Sequence, residues 1–318
     1  EDCMIVDSHV HLFYENSDPM SWFIGSARTG AATFAKSTGE LGNVEELYQQ
    51  LAPEIMDDNG DKLVPRMDDA GIERAIILPI DLRLLSDEPS AFDQTYPTIE
   101  QKNRTYFKAT QRHKGRIYSC AGVDPRRHGA VDLFRKGVEE WGMIGLKLHP
   151  TAGYYPHDPK CYPMYEAARE MGVPVIIHSG SEPAPLKCAY SQPKYIDTVA
   201  ADFPEVTFIV AHCGHGWHKE AIDLASMKPN IYCDFSGWQV EYLTNPDYFF
   251  GPLRYALDFL GPWRVLFGTD GPAYTVFMSN KDWVNAIREH KSPSGIKFSD
   301  EEVDLFLGGA AAKLYGWL

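Results

Sequence analysis

The amino-acid sequence predicts an α/β protein in which residues 1–318 form a single (β/α)8 TIM-barrel domain. Eight short apolar segments alternate along the chain with segments of helical pattern. The apolar segments are nearly continuous in Val, Ile, Leu and Phe, which is typical of parallel strands covered on both faces. Polar residues follow their carboxyl ends. An open doubly wound sheet is the alternative arrangement of the same elements.

Strand-forming residues bounded by turn residues define the eight segments. The length alone permits two domains, but barrels of this type commonly exceed about 250 residues as one unit. The carboxyl ends of all strands of such a barrel meet at one face, where the active site forms. The predicted strands are residues 5–11, 72–80, 116–124, 144–150, 173–180, 206–214, 230–237 and 265–271.

Helical spacing of apolar residues defines the segments between the strands. In residues 162–172, for example, Tyr162, Tyr165 and Ala168 fall near one helix face, and Gly172 ends the pattern. The other predicted helices are residues 45–56, 63–70, 99–113, 130–141, 194–201, 218–227, 247–260, 281–290 and 300–315.

Three long segments without a regular pattern follow the first, second and fifth strands. They are residues 13–43, 81–97 and 181–193, and all three lie at carboxyl ends of predicted strands. We therefore expect irregular loops that shape the substrate pocket.

The charge balance excludes two classes of partner. The chain has 30 Lys and Arg against 44 Asp and Glu, a net charge of −14, and no basic run longer than Arg126-Arg127. This composition argues against binding to nucleic acid or to an anionic membrane surface. No apolar stretch reaches the roughly 20 residues of a membrane span, and no signal-peptide core is visible.

The cysteines favour a reducing, cytoplasmic environment. They have no C-x-x-C spacing, and most fall in apolar strand-like segments where a thiol packs as a small apolar group. They are Cys3, Cys120, Cys161, Cys188, Cys213 and Cys233.

Histidines and one aspartate fall at the ends of several strands. His9 and His11 end the first strand, His178 the fifth, His212 the sixth, and Asp270 the eighth. Any one of these histidines, taken alone, is most simply a buried side chain whose ring is hydrogen-bonded to a backbone carbonyl group. Together, however, they lie at one rim of the barrel. Imidazole and carboxylate groups bind Zn²⁺, Mn²⁺ and Fe²⁺. We therefore expect one or two divalent ions, with Zn²⁺ first and Mn²⁺ second.

The sequences around these residues resemble the amidohydrolase superfamily, in particular its metal-dependent TIM-barrel hydrolases. The motifs are DSHVHLF, GLKLHP, GVPVIIHSG, IVAHCG and LFGTDGP, and the resemblance extends from Ile5 to Leu318. It implies that metal is bound by His9, His11, His178 and Asp270. It also implies that His212 binds a second metal or contacts the substrate.

Lys147 in the GLKLHP motif has two interpretations. In two-metal members of the superfamily, the lysine of the fourth strand is carboxylated and its carbamate bridges the ions, which implies the same for Lys147. The alternative is a free amine that pairs with a substrate anion or with Asp270. Strand alternation places Lys147 and His149 on the barrel interior and Leu146 and Leu148 on the helix side.

The resemblance implies a hydrolase that cleaves an amide, lactone or ester-like bond of a small molecule. Metal activates water, Asp270 transfers its proton, and His212 holds the oxyanion or a second metal. A nonoxidative decarboxylase of an aromatic or unsaturated acid is the alternative. The related decarboxylases generally lack a lysine at the position of Lys147, which favours hydrolysis. A metal-free binding protein is disfavoured because every ligand position is filled.

Further side chains are expected near the barrel mouth. We predict substrate contacts for His149, Trp238 and Arg28, whereas His215 is expected in a solvated or helix-capping role. Arg83 in the second irregular segment could bind a carboxylate. A small molecule is the expected partner, and the sequence is compatible with a homo-oligomer.

Overall fold

Parallel strands surrounded by helices form a (β/α)8 TIM barrel in the computed structural model, which describes residues 4–82 and 98–318. Every strand pairs in parallel with the next one along the chain, within each of two runs, β1 to β3 and β4 to β9. The strands are β1 Ile5–Val10, β2 Ile72–Ile77, β3 Ile117–Ser119, β4 Ala121–Gly122, β5 Leu146–Leu148, β6 Val175–Ile177, β7 Phe208–Val210, β8 Ile231–Asp234 and β9 Val265–Leu266.

The third predicted strand, residues 116–124, is divided at Cys120. Its first part, β3, pairs with β2, and its second part, β4, pairs with β5. The amide of Cys120 donates to the carbonyl of Ile77 at 3.1 Å, so the chain stays in the barrel wall across the division. The two parts together therefore occupy one position in the barrel.

Hydrogen bonds between the first and last strands close the ring. The amide of Ser8 donates to the carbonyl of Phe267 at 3.0 Å, and the amide of His11 donates to the carbonyl of Gly271 at 2.8 Å. The amide of Asp270 donates to the carbonyl of His9 at 2.9 Å. Closure thus places Asp270 directly beside the two histidines of β1.

Most helices begin and end within a few residues of their predicted bounds. The last predicted helix, residues 300–315, contains a π-helical turn at Leu305–Gly309. The helices are Met20–Phe34, Val44–Ile55, Leu63–Ala70, Ile99–Arg112, Ala130–Glu139, Tyr162–Met171, Lys194–Asp202, His218–Met227, Gln239–Thr244, Asp247–Leu260, Asn280–Glu289, Asp300–Asp304 and Ala310–Leu314.

The prediction that residues 13–43 are irregular was wrong, because Met20–Phe34 is helical. Its buried positions include Gly25, Ala27 and Ala31, small residues that give little apolar signal in a sequence. The segment 181–193 contains only the short 3₁₀ turn Cys188–Tyr190. The segment 81–97 lies outside the described residues from position 83 onward, and so does Arg83.

Alternation along the strands separates two apolar layers. Leu146 and Leu148 of β5 belong to the large core cluster between the strands and the helices. Ile176 of β6 belongs to a smaller cluster of inward-facing side chains that fills the barrel. Lys147 is paired in register with Ile176, so it points into the barrel, as strand alternation predicts.

The described cysteines form no disulfide bond with one another. Cys120, Cys161, Cys188, Cys213 and Cys233 are free thiols, and Cys3 lies outside the described residues. Over residues 4–82 and 98–318, none of the helices combines the length and the apolar character that crossing a bilayer requires.

Gly122 in β4 has no room for a side chain. A Cβ atom there would lie 1.8 Å from the carbonyl oxygen of Pro79, which is a backbone atom that cannot rotate away. We expect Gly122→Ala to lower the free energy of unfolding by about 3 kcal/mol, because overpacking displaces the barrel wall. Chemical denaturation of the variant and the wild type measures this difference.

Gly251 provides the matched control for this substitution. It lies in the helix Asp247–Leu260, and no heavy atom lies within 4 Å of a Cβ atom built there. Gly251→Ala should leave stability unchanged or raise it by up to about 1 kcal/mol, since alanine favours the helix. Equal denaturation midpoints for the two variants would contradict the assigned packing of Gly122.

Candidate metal centre

His9, His11 and Asp270 meet at the carboxyl end of the barrel. Nε2 of His11 lies 3.2 Å from Oδ1 of Asp270, and Nε2 of His9 lies 3.7 Å from the same oxygen. One ligand atom from each residue lies within 4.8 Å of the other two. His9 and His11 are two residues apart on β1, so both rings point into the barrel.

The other nitrogen of each ring is held by an acceptor. Nδ1 of His9 donates to Oδ2 of Asp234 at 3.0 Å, and Nδ1 of His11 donates to the carbonyl of Leu78 at 2.7 Å. With Nδ1 protonated, Nε2 of each neutral ring carries a lone pair. Burial, together with the charge of Lys147, lowers the pKa of His9 to about 3, so this ring is neutral.

Asp270 is held in an unusual backbone conformation with φ of 52°. The preceding Thr269 is fixed by Asp7, whose carboxylate accepts from the Thr269 amide at 2.9 Å and from its hydroxyl at 2.6 Å. Burial opposes ionisation of Asp270, but protons on the neighbouring rings of His212, His11 and His9 hold its pKa well below its usual range. Asp270 is therefore ionised.

Asp234 at the end of β8 was not predicted from the sequence, although it lies near the carboxyl end of a predicted strand, as His212 and Asp270 do. Its carboxylate accepts from the ring of His9 and, at 3.0 Å, from the amide of His212. The hydroxyl of Ser236 donates to it at 2.5 Å. Burial opposes ionisation, but His9, His212 and these hydrogen bonds hold the pKa of Asp234 well below its usual range. Asp234 thus orients two histidines at once.

His212 follows β7 and adopts a positive φ of 57°. Its Nδ1 lies 3.0 Å from the carbonyl oxygen of Ser236, and that oxygen can only accept, so Nδ1 carries a proton. In this tautomer, the lone pair is on Nε2. Nδ1 also lies 4.0 Å from Oδ2 of Asp270, which places the ring at the edge of the cluster.

Lys147 points into the same cluster. Its Nζ donates to Nε2 of His9 at 3.2 Å, and the side chain is buried. Burial lowers the pKa of Lys147 to about 8, and the nearby carboxylates of Asp234, Asp270 and Glu182 oppose this shift. The amine is therefore part of the site, not of the helix layer.

A second group of possible ligands comprises His149, His178 and Glu182, whose ligand atoms lie within 4.8 Å of one another. Nε2 of His149 lies 3.2 Å and Nδ1 of His178 lies 3.5 Å from Oε1 of Glu182. Burial raises the pKa of Glu182 to about 7. Glu182 was also missed, because it lies in an irregular loop where no periodicity indicates the direction of a side chain.

A cavity of about 420 Å³ opens above both groups. Its floor is polar and includes His11, Lys147 and His212, whereas the helix Met20–Phe34 forms part of an apolar wall. The apolar and aromatic lining residues are Phe13, Trp22, Phe23, Ala27, Phe34, Tyr48, Leu51, Ile55, Ile80, Val240, Ala273, Tyr274, Val276 and Phe277.

A family comparison decides the classification of this site. The sequence model of the family described as Amidohydrolase matches residues 6–317, nearly the whole chain. The chain belongs to this amidohydrolase family. Its histidines and Asp270 thus lie in a barrel of the family that the sequence motifs resemble.

Curated relatives match the chain over limited segments. Protein fluG of Emericella nidulans is 27% identical over 118 residues, which cover 36% of this chain and 13% of the relative. The 2-keto-4-carboxy-3-hexenedioate hydratase of a Sphingobium species is 35% identical over 94 residues, or 24% of this chain and 28% of the relative. The matches therefore span far less than two thirds of either relative.

Solved structures match the chain over nearly its full length. A 5-carboxyvanillate decarboxylase of Novosphingobium aromaticivorans with manganese has a TM-score of 0.68 at 16% identity, covering 99% of this chain and 96% of that one. A zinc-bound amidohydrolase of Burkholderia multivorans has a TM-score of 0.67 at 16% identity, covering 98% and 99%. A probable 2-pyrone-4,6-dicarboxylic acid hydrolase of Acinetobacter baumannii has a TM-score of 0.62 at 14% identity, covering 99% and 100%. At these identities, the similarity establishes the fold alone.

The predicted substrate contacts lie in different places. His149 lines the cavity. Trp238 does not line it, because its ring is buried behind the site and its Nε1 donates to the carbonyl of His212 at 3.1 Å. Arg28 is exposed, since it lies two residues, or about 200°, around the helix from the cavity-lining Ser26. His215 lines the cavity, where its Nε2 bonds Oε1 of Glu241 at 2.8 Å, and is not simply solvated.

Proposed function

We propose that the protein is a metal-dependent hydrolase that cleaves an amide, lactone or ester-like bond of a small molecule. The observation that supports it best is the convergence of His9, His11 and Asp270 below a cavity of about 420 Å³. A cavity of this size falls in the usual range for a small-molecule substrate.

The donor set fits a divalent cation. His9 and His11 each present an unprotonated Nε2, and Asp270 presents an ionised oxygen, a combination that suits Zn²⁺ first and Mn²⁺ second. When bound there, such an ion polarises the carbonyl of the substrate and lowers the pKa of water toward about 7. Asp234 and the carbonyl of Leu78 keep both rings in the binding orientation.

Asp270 is the proposed proton carrier. Its side chain is 16% exposed, and it lines the cavity, so water and substrate can reach it. Because its carboxylate is ionised, it accepts a proton from the attacking water and then donates this proton to the leaving group. Asp7 and Thr269 hold the backbone that aims this carboxylate.

His212 and Lys147 are the proposed groups for the developing oxyanion. Both line the cavity, and Lys147 supplies N–H donors from an amine buried beside His9. His212 supplies a second donor only when its ring is doubly protonated, because its neutral form has a lone pair on Nε2. Donors aimed at the position of the oxyanion stabilise the transition state of acyl transfer.

The lining favours a largely apolar substrate. Three carboxyl groups, those of Glu182, Glu241 and Asp270, line the cavity, while Lys147 is the one lysine or arginine among the described lining residues. An ester or lactone with an apolar body fits the aromatic wall. In the alternative, a decarboxylase, the amine of Lys147 would bind the carboxylate of the acid.

Incubation in ¹⁸O-labelled water distinguishes the two reactions. The protein, loaded with Zn²⁺, is offered lactones, esters, amides and aromatic carboxylates, and the products are identified by mass spectrometry. We expect one labelled oxygen in the acid formed from a lactone, ester or amide, and no release of CO₂. Metal-stripped protein should be inactive and should recover on addition of Zn²⁺. Release of CO₂ without a labelled acid would overturn the proposal in favour of the decarboxylase.

A further inference from the structure

Tyr274 contributes to the cavity a hydroxyl group that no step of the proposed hydrolysis uses. It lies in the 3₁₀ turn Ala273–Val276, four residues after Asp270, and it lines the cavity. In the part of the chain that the structure describes, this hydroxyl makes no hydrogen bond, yet it is not enclosed by other atoms as the ring nitrogens of His178 are. A polar group that is open to the cavity and has no partner in the protein is available to a substrate.

The ring of Tyr274 lies beside the carboxylate of Asp270. Both groups adjoin Gly237, because a Cβ atom built on this glycine would lie 3.1 Å from Oδ2 of Asp270 and 3.4 Å from Cζ of Tyr274, the carbon that carries the hydroxyl. The amides of Phe277 and Met278 hold the turn by donating to the carbonyl of Tyr274, at 3.1 and 3.2 Å. The phenol is thus fixed next to the proposed proton carrier.

The surroundings of Tyr274 keep its hydroxyl protonated. Burial raises the pKa of Tyr274, and the carboxylates of Asp270, Glu241 and Glu182 raise it further. The phenol is therefore a neutral O–H donor at neutral pH. Such a donor matters in this cavity, since Lys147 is the one lysine or arginine among its described lining residues.

We propose that Tyr274 is a catalytic residue that donates a hydrogen bond to the carbonyl oxygen of the substrate as this oxygen becomes negative. The proposal rests on the proposed function, because it concerns the hydrolysis of a carbonyl compound. When the oxygen of water bonds to the carbonyl carbon, the π-electron pair of the C=O group moves to its oxygen. When the bond to the leaving group breaks, this pair forms the C=O bond again, and Asp270 supplies the proton of the leaving group. Tyr274 keeps its own proton throughout and stabilises the charge in between.

Tyr274 differs from the two donors already proposed. His212 donates through Nε2 only when its ring carries two protons, and the amine of Lys147 already contacts Nε2 of His9 at 3.2 Å. The phenol needs no change of protonation, and no described residue competes for its hydrogen bond. A donor that is held in place before the reaction costs no rearrangement when the charge forms. Its contribution therefore falls on the transition state and not on the binding of a planar substrate.

Tyr274→Phe removes this hydroxyl and keeps the ring. The full-length protein is loaded with Zn²⁺ and given two probes, phenyl acetate as a planar ester and phenyl methylphosphonate as a tetrahedral anion that mimics its intermediate. We expect kcat on phenyl acetate to fall at least about tenfold, with KM within about twofold of the wild type. The Kd of the phosphonate, measured by calorimetry, should rise at least about tenfold. Zinc content and Tm should stay unchanged, because the substitution removes no hydrogen bond of the described chain.

Tyr242→Phe is the matched control. Tyr242 is half-buried like Tyr274, but it packs on Phe250 and Trp283 and does not line the cavity, so kcat and the phosphonate Kd should match the wild type.

Three results for Tyr274→Phe would overturn the proposal: an unchanged phosphonate Kd, a loss of activity that appears only in KM, or a lower Tm. A wild type that does not bind the phosphonate would overturn it as well. If the wild type hydrolyses neither phenyl acetate nor any substrate of the ¹⁸O experiment, the proposed function fails. The phosphonate Kd of wild type and variant then decides by itself whether Tyr274 contacts a tetrahedral anion.

Discussion

Replacing Asp270 by asparagine is expected to lower kcat by about a thousand-fold or more, while the protein remains folded. Asparagine is nearly isosteric with aspartate but cannot accept the proton of the attacking water, and proton transfer by a positioned side chain contributes roughly 10²–10⁴-fold. The backbone tolerates the change, because asparagine shares the ability of aspartate to adopt the positive φ of 52° found here. The measurement is kcat of the zinc-loaded variant, on a substrate found in the ¹⁸O experiment.

Asp258→Asn is the matched control for this substitution. Asp258 has a side chain that is 57% exposed and pairs with Arg254 at 2.8 Å on the helix Asp247–Leu260. This variant should turn over at the wild-type rate. The zinc content of Asp270→Asn must be measured as well, since Asp270 is also a proposed metal ligand together with His9 and His11. If the variant binds zinc normally and is as active as the wild type, Asp270 has no part in proton transfer.

Strand alternation accounts for most of what the sequence predicted about the site. His9 and His11 point into the barrel two residues apart, and Lys147 points into it in register with Ile176. Asp270 joins them because closure of the ring places the last strand beside the first, with the Asp270 amide 2.9 Å from the carbonyl of His9. Local periodicity is therefore sufficient to predict that a functional residue is part of the site when it lies on a strand or directly after one.

Residues in irregular segments could not be predicted in this way. Glu182 lies four residues beyond His178 in a loop, and its direction depends on contacts that form only in the folded chain. The stacking of His178 on His149, with ring centroids 4.3 Å apart, is a tertiary feature too. Asp234, in contrast, lies on a strand and was open to the same reasoning as His9.

The cavity wall shows a different reason for a missed prediction. The helix Met20–Phe34 buries Gly25 and Ala27 where larger apolar residues would have revealed a helical period. Gly25 is required there because a Cβ atom would lie 1.7 Å from the carbonyl oxygen of Ala184. Close packing of this helix on the loop after β6 requires small residues. The helix that forms part of the apolar wall therefore lacks a clear apolar period in the sequence.

Substitution of His11 by alanine is expected to weaken zinc binding at the site formed by His9, His11 and Asp270 by at least about 100-fold. Loss of a residue that only supports a ligand costs 10–100-fold, and His11 is itself a proposed ligand. Its Nε2 lies 3.2 Å from Oδ1 of Asp270, and its Nδ1 is fixed by the carbonyl of Leu78, so the ring is oriented toward the proposed ion. Competition with a chromogenic chelator measures the Kd of wild type and variant.

Activity should fall together with this ion and return in part at high zinc concentration. Such a return separates loss of a ligand from loss of a proton carrier, because Asp270→Asn should stay inactive however much zinc is added. His128→Ala is the control, since His128 is exposed and belongs neither to the cavity lining nor to a ligand group, and both its Kd and its activity should match the wild type. If His11→Ala binds zinc with wild-type affinity, His11 is not a ligand of the ion. The mechanism built on His9, His11 and Asp270 then fails.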